Sequence, residues 1–198
     1  VMFSPYAVAS VVVFSIISYL LGFTTVISNT GMGFGNLISI NIFNYTGAIL
    51  ISLFAVLFHE LGHMVALMKN DAVPGSIGFA FYYTTPVFYS DVSSAWELKR
   101  KQRVLVDVGG IYFQMVFLAC ICFIGVLINN KVLVLSFIIG FVFMSNNLNP
   151  FIKMDGYWIA SDFLGIPNLH DMVRAFIEEK ILIIFRTKPK ISITKDIR

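Results

Sequence analysis

Residues 57–68 read LFHELGHMVALM, and in this apolar run stand two of the chain's three histidines and a glutamate. His59 and His63 are four residues apart. On a helix that spacing puts them on one face, one turn and about 6 Å of rise apart, so both imidazoles reach one metal ion. Glu60, beside the first histidine, can lean toward a metal-bound water. The pattern is H-E-x-x-H, in which the histidines bind zinc and the glutamate serves as general base. Gly62 leaves room for a substrate or a neighbouring helix to approach the backbone. The alternative is a coincidental pattern, with the histidines hydrogen-bonded inside a core. The location argues against it: a charged residue at the centre of a span costs on the order of 2.5–3.5 kcal/mol. A nearby dication reverses that argument for Glu60.

Two histidines do not complete a site, because a catalytic zinc usually takes three protein ligands and keeps one position for water. His170, in IPNLHDMV beyond the last apolar stretch, reads as a surface residue. Asp155 is the better candidate. It follows a run with Asn146, Asn147, Asn149 and Pro150, and Gly156 follows it directly. Proline removes a backbone donor and bends a membrane helix, and nearby polar groups must satisfy the freed carbonyls. A broken helix there can aim Asp155 at the metal; otherwise Asp155 is a solvated carboxylate beyond a helix end.

The elements that must position these residues are membrane helices. Hydrophobic residues make up 58% of the 198, charged residues 13%, and the mean hydropathy is +0.83. Soluble domains carry about 25% charged residues, so this composition is that of a membrane protein. Four apolar stretches approach or exceed the roughly 20 residues that span a bilayer: about 6–27, 46–68, 104–128 and 132–152. The first reads as an anchor rather than a removed signal peptide, for it lacks a basic n-region and a clear small-x-small cleavage site. Between the second and third, the alternation in SIGFAFYY with Pro74, Gly75 and Pro86 predicts short strands over 76–90. The expected fold is therefore an all-α polytopic membrane protein with about four transmembrane helices. A short β-hairpin-like, membrane-associated loop lies between the second and third.

Residues 1–45 form an anchor and connecting loop, 46–165 a three-helix core, and 166–198 an amphipathic basic tail at the membrane surface. Lys69, Lys99, Arg100, Lys101 and Arg103, with Arg174, Lys180, Arg186, Lys188 and Lys190, make one side basic, against Lys131 on the other. The positive-inside rule then puts both termini and the 70–103 connection in the cytoplasm. Glu60 lies about 13 Å from the cytoplasmic end of its helix, and Asp155 enters from the same side. The net charge of +3 and pI near 8.9 come without a basic stripe, so nucleic-acid binding is not implied. Cys120 and Cys122, at i and i+2, point to different sides of a helix and favour neither a disulfide nor a metal pair.

HELGH at 59–63 and NPFIKMDG at 149–156, in that order and on separate spans, resemble the site-2 protease family of intramembrane zinc metalloproteases. The resemblance covers about 46–165. It implies His59, His63 and Asp155 as ligands of Zn2+, Glu60 as catalytic base, and Asn149 in contact with substrate or oxyanion. The stretch GFAFYYTTPVFYSDVSSAWELKRKQRVLVDVGGIYFQ looks like the bacterial peptide zinc metalloproteases of peptide-maturation and export systems. Many relatives carry G-P-x-x-N on the third span. Here GIYFQ puts Ile111 at the proline and Gln114 at the asparagine, so Gln114 either holds substrate or oxyanion or makes a polar helix–helix contact.

The expected activity is hydrolysis of a peptide bond in a membrane-embedded or membrane-associated peptide or protein. The expected partners are that substrate, the lipid bilayer, and peptide-export or maturation proteins; the expected location is a bacterial cell membrane. The 76–90 segment either adds an extended substrate as a further strand or only covers the site. One rival is a metalloprotease using Glu178 or Glu179 as third ligand. Another is a non-catalytic accessory subunit of a peptide exporter that retains a zinc site, which leaves Glu60 without a purpose. A di-iron oxygenase is disfavoured, because three histidines and so few intramembrane carboxylates cannot supply two metals.

Overall fold

A computed structural model of the chain describes residues 3–27, 41–82, 85–166 and 168–184. The Gly/Asn-rich connection over 28–40 and the basic end of the tail beyond Ile184 lie outside the described residues. The elements in chain order are α1 (Pro5–Ile27), α2 (Ile42–Lys69), β1 (Ile77–Tyr82), β2 (Thr85–Ser90), a 3-10 turn (Ser93–Glu97), α3 (Arg100–Leu127), α4 (Lys131–Asn147), α5 (Asp155–Leu164) and α6 (Leu169–Ile184). The molecule is mostly helical, and α1, α2 and α3 are long and apolar enough to cross a membrane.

The fourth apolar stretch differs from its expected length. α4 stops at Asn147 after 17 residues, about 26 Å of helix at 1.5 Å per residue. Pro150 cannot donate the next helical bond and pushes its predecessor toward extended backbone. Asn149 Oδ1 instead accepts from the Phe151 N–H at 2.9 Å. Asn130 starts the helix by accepting from the Val132 and Leu133 N–H groups.

α2, α3 and α4 pack against one another, α1 lies on α3, and α5 lies on the first half of α3. The buried stripe of α2 explains how closely they approach. Ala48, Ser52, Ala55, His59, Gly62 and Ala66 recur every three or four residues, and all are buried. All but one are small, which lets helix backbones come together without a large hydrophobic seam. A Cβ on Gly62 would run into the Gly109 carbonyl and the Gly110 Cα. Gly62 thus serves the approach of a neighbouring helix. The large member of the stripe is His59.

From Ala55 of this stripe the core continues into the main apolar cluster, with Leu118, Cys122, Phe137 and Met144. Cys122 is buried and Cys120 exposed, both free, as their spacing requires. The 76–90 segment is an antiparallel hairpin in which Ile77 faces Ser90 and Phe79 faces Phe88. β2 rests on α2. Beyond it, the hydroxyl and backbone N–H of Ser93 bond the Asp91 carboxylate and hold it below its usual range.

Candidate metal centre

His59 and His63 both project from the buried face of α2 and are 3% and 6% exposed. Their Nε2 atoms lie 3.0 Å apart, and the rings stand nearly perpendicular. Asp155, the first residue of α5, brings Oδ2 to 2.6 Å from His59 Nε2 and 3.6 Å from His63 Nε2. These three are the residues that the sequence nominates as ligands, and the fold brings them to one point from two separate elements.

The chemistry of this donor set fits a dication. His63 Nδ1 sits 2.8 Å from the Val106 carbonyl. A carbonyl only accepts, so Nδ1 carries the proton and Nε2 presents its lone pair inward. A second imidazole nitrogen and a carboxylate oxygen converge on the same spot, and such acceptors repel unless a cation or proton lies among them. Two ligand atoms at tetrahedral positions on zinc, each about 2.0–2.1 Å from it, stand roughly 3.3 Å apart. The observed 2.6, 3.0 and 3.6 Å bracket that spacing. His59 Nδ1 is buried without a hydrogen-bond partner among the described residues.

Asp155 reaches this place because α5 is folded back onto the end of α4. The backbone of Gly156 presses on the Leu148 carbonyl, where a Cβ would collide. At its other end α5 is pinned to α3. Arg103 forms a two-pronged ion pair with Asp162, with Nε–Oδ2 2.8 Å and Nη2–Oδ1 2.5 Å. Arg100 donates to the Asp162 and Phe163 carbonyls, which are left open at the helix C-terminus. Trp96 and Trp158 meet edge to face over the same seam, ring centres 5.6 Å apart.

Glu60 follows His59 on α2, and Ser90 Oγ donates to its Oε2 at 2.6 Å. Gln114 is fully buried, and both its amide atoms lack a partner among the described residues. Leaving such a group unpaired costs about 1–3 kcal/mol. It stands four residues beyond Gly110, whose Cα lies beneath both imidazoles, and therefore on the same face of α3. Asn149 has its side-chain oxygen on the Phe151 N–H, in the turn leading to Asp155. His170 packs its ring on Tyr157 at 4.5 Å, apart from the metal cluster. Glu178 pairs with Arg174 on α6; the Glu179 side chain lies outside the described residues.

Sequence reasoning passed over Ser90, the Val106 carbonyl, the Arg103–Asp162 pair and Gly110. Of these only Gly110 left a signal, as half of a Gly–Gly pair inside an apolar helix. A Cβ at Gly110 would meet His63 Nε2 and Cε1 and His59 Cε1. Gly110→Ala is therefore expected to push the imidazoles off the shared point and weaken zinc binding by at least about tenfold, the lower end of what misoriented ligands cost. Competition against a chromophoric chelator reads this directly, and unchanged affinity would show that the rings have slack.

The chain is similar to a protein of Bacillus subtilis (strain 168) named "Putative peptide zinc metalloprotease protein YydH", with 25% identity over 113 residues. The match takes in 56% of this chain and 45% of that protein, so the chain spans less than half of its relative's length. No family model matches the chain, and no solved structure matches it.

Proposed function

We propose that the chain is an intramembrane zinc metalloprotease of the site-2 type, cleaving a peptide bond of a membrane-embedded or membrane-associated peptide or protein. The observation that carries this reading is the convergence of His59, His63 and Asp155 on one point, with Glu60 adjacent on the same helix. The similarity to a protein named as a peptide zinc metalloprotease supports it.

In this reading His59 and His63 hold zinc from α2 and Asp155 closes the set from α5. Zinc, when bound, supplies a Lewis acid that lowers the pKa of its water to about 7 and polarises a carbonyl. Glu60 accepts the proton of the attacking water on a carboxylate oxygen and passes it to the leaving amine. The buried amide of Gln114 offers its N–H groups to the substrate backbone and its oxygen to a substrate N–H. Asn149 keeps the turn that delivers Asp155 and lines the substrate's approach. A helical substrate must unwind to expose its carbonyl. The hairpin, with Phe79, Phe81 and Tyr89 exposed, offers the extended segment an apolar strand edge to join.

Lys69 and the Lys99–Arg103 cluster set the open end of the site toward the cytoplasm of a bacterial membrane, with both termini on that side. The catalytic core is 46–165. The partners proposed are the substrate, the bilayer, and peptide-maturation or export proteins.

Metal removal tests the reading. The chain is co-reconstituted with membrane-bound candidate precursors, treated with phenanthroline and then given zinc. Cleavage is expected to stop with the chelator and return with the metal. Cleavage that continues without metal would overturn the proposal. Stoichiometric zinc without cleavage of any precursor would instead favour the accessory-subunit reading.

A further inference from the structure

The hydrogen bond from Ser90 Oγ to Glu60 Oε2 joins two residues separated by 30 positions. At 2.6 Å it is a short hydrogen bond, with the hydroxyl donating and the carboxylate oxygen accepting. Ser90 ends β2, and this is the braced end of the hairpin. The Asp91 N–H donates to the Ser76 carbonyl at 2.9 Å, and the Gly75 N–H to the Asp91 carbonyl at 3.0 Å. Ser94 Oγ donates across to the Val73 carbonyl at 2.7 Å. The 3-10 turn that follows buries Ala95 against Ala66, Leu67 and Val106. Val106 is also the residue whose carbonyl orients His63. The segment that follows Ser90 thus packs into the cluster that contains Val106.

We infer that Ser90 is a positioning residue for the proposed hydrolysis: its hydroxyl holds Glu60 Oε2 and thereby leaves Oε1 to accept the proton of water. The inference rests on the reading of Glu60 as the base. A glutamate has three rotatable side-chain bonds, and a base that must find its geometry at each turnover is slower than one already held. The support is rigid where the argument needs it, since Ser90 sits at the stapled end of the hairpin, away from its turn. A serine that merely ties the hairpin to α2 would stiffen the loop without affecting what Glu60 can accept.

The two roles separate in a measurement that needs no substrate. The full chain in detergent is loaded with Co2+, whose visible bands report its ligands, and titrated with acetohydroxamate, whose hydroxyl proton a glutamate base accepts. Ser90→Ala is expected to bind cobalt as wild type does but acetohydroxamate about tenfold or more weakly, while Ser90→Thr, which keeps the hydroxyl, stays within about twofold of wild type. Turnover of a cleaved precursor should fall in kcat for Ser90→Ala with KM little changed. Equal acetohydroxamate affinity in wild type and Ser90→Ala, with Glu60→Gln weakened, would overturn the positioning role and leave the base assignment standing. No weakening in Glu60→Gln would overturn the base assignment itself. Loss of cobalt by Ser90→Ala would also overturn the inference, for the serine would then support the metal site rather than the base.

Discussion

A Glu60→Gln variant is expected to keep its zinc and to lose cleavage by roughly 10²- to 10⁴-fold, the range that a general base contributes. The substitution is nearly isosteric. The glutamine carbonyl oxygen still accepts the Ser90 hydroxyl that now reaches Oε2 at 2.6 Å, so the hairpin stays where it is. The converging atoms belong to His59, His63 and Asp155 rather than Glu60, so metal content should not change. What is lost is the capacity to take a proton. Single-turnover cleavage of a co-reconstituted precursor, with zinc counted on the same sample, checks both halves. An unchanged rate would remove Glu60 from the chemistry.

The second large effect concerns the metal. Asp155→Asn replaces an anionic oxygen by a neutral amide at the point where two imidazole nitrogens meet. Zinc affinity is expected to fall by more than the about 10–100-fold that losing an outer-shell partner costs, because the carboxylate is itself a ligand in the proposed set. His59→Ala should fall comparably. His170→Ala, which removes a ring packed on Tyr157, should leave zinc affinity unchanged and serves as the control. Parity between Asp155→Asn and His170→Ala would mean that the metal does not use the carboxylate.

The parts of the site legible in the sequence were those encoded locally. The four-residue spacing of His59 and His63 fixes their shared face on any helix. The Asn149–Pro150 and Asp155–Gly156 pairs mark a broken helix followed by a fresh start, and α5 begins at Asp155. The hairpin was visible in the alternation around Ile77, Phe79 and Phe81, and its strands fall inside the expected 76–90. The fourth apolar stretch runs five residues past its helix, to 152 against the observed 147. Apolar Leu148, Phe151 and Ile152 kept hydropathy high past the point where Pro150 had ended the backbone ladder.

What stayed hidden depends on how helices are rotated against each other. Val106 is an ordinary valine until α3 turns its carbonyl toward His63. Ser90 is an ordinary strand end until the hairpin settles on α2. Arg103 and Asp162 are 59 residues apart, and no local pattern announces that they lock α5 to α3. Gly62 and Gly110 lie between the two cases. Each glycine hints at a close approach, but only the packed seam shows which backbone approaches, and which imidazoles.

Zinc K-edge X-ray absorption on the purified chain tests the central claim most directly. One zinc per chain with two imidazole nitrogens and further light oxygen ligands, and loss of the carboxylate contribution in Asp155→Asn, is the expected result. A shell containing sulfur from Cys120 or Cys122, one imidazole only, or no stoichiometric metal after zinc loading would contradict a centre built from His59, His63 and Asp155.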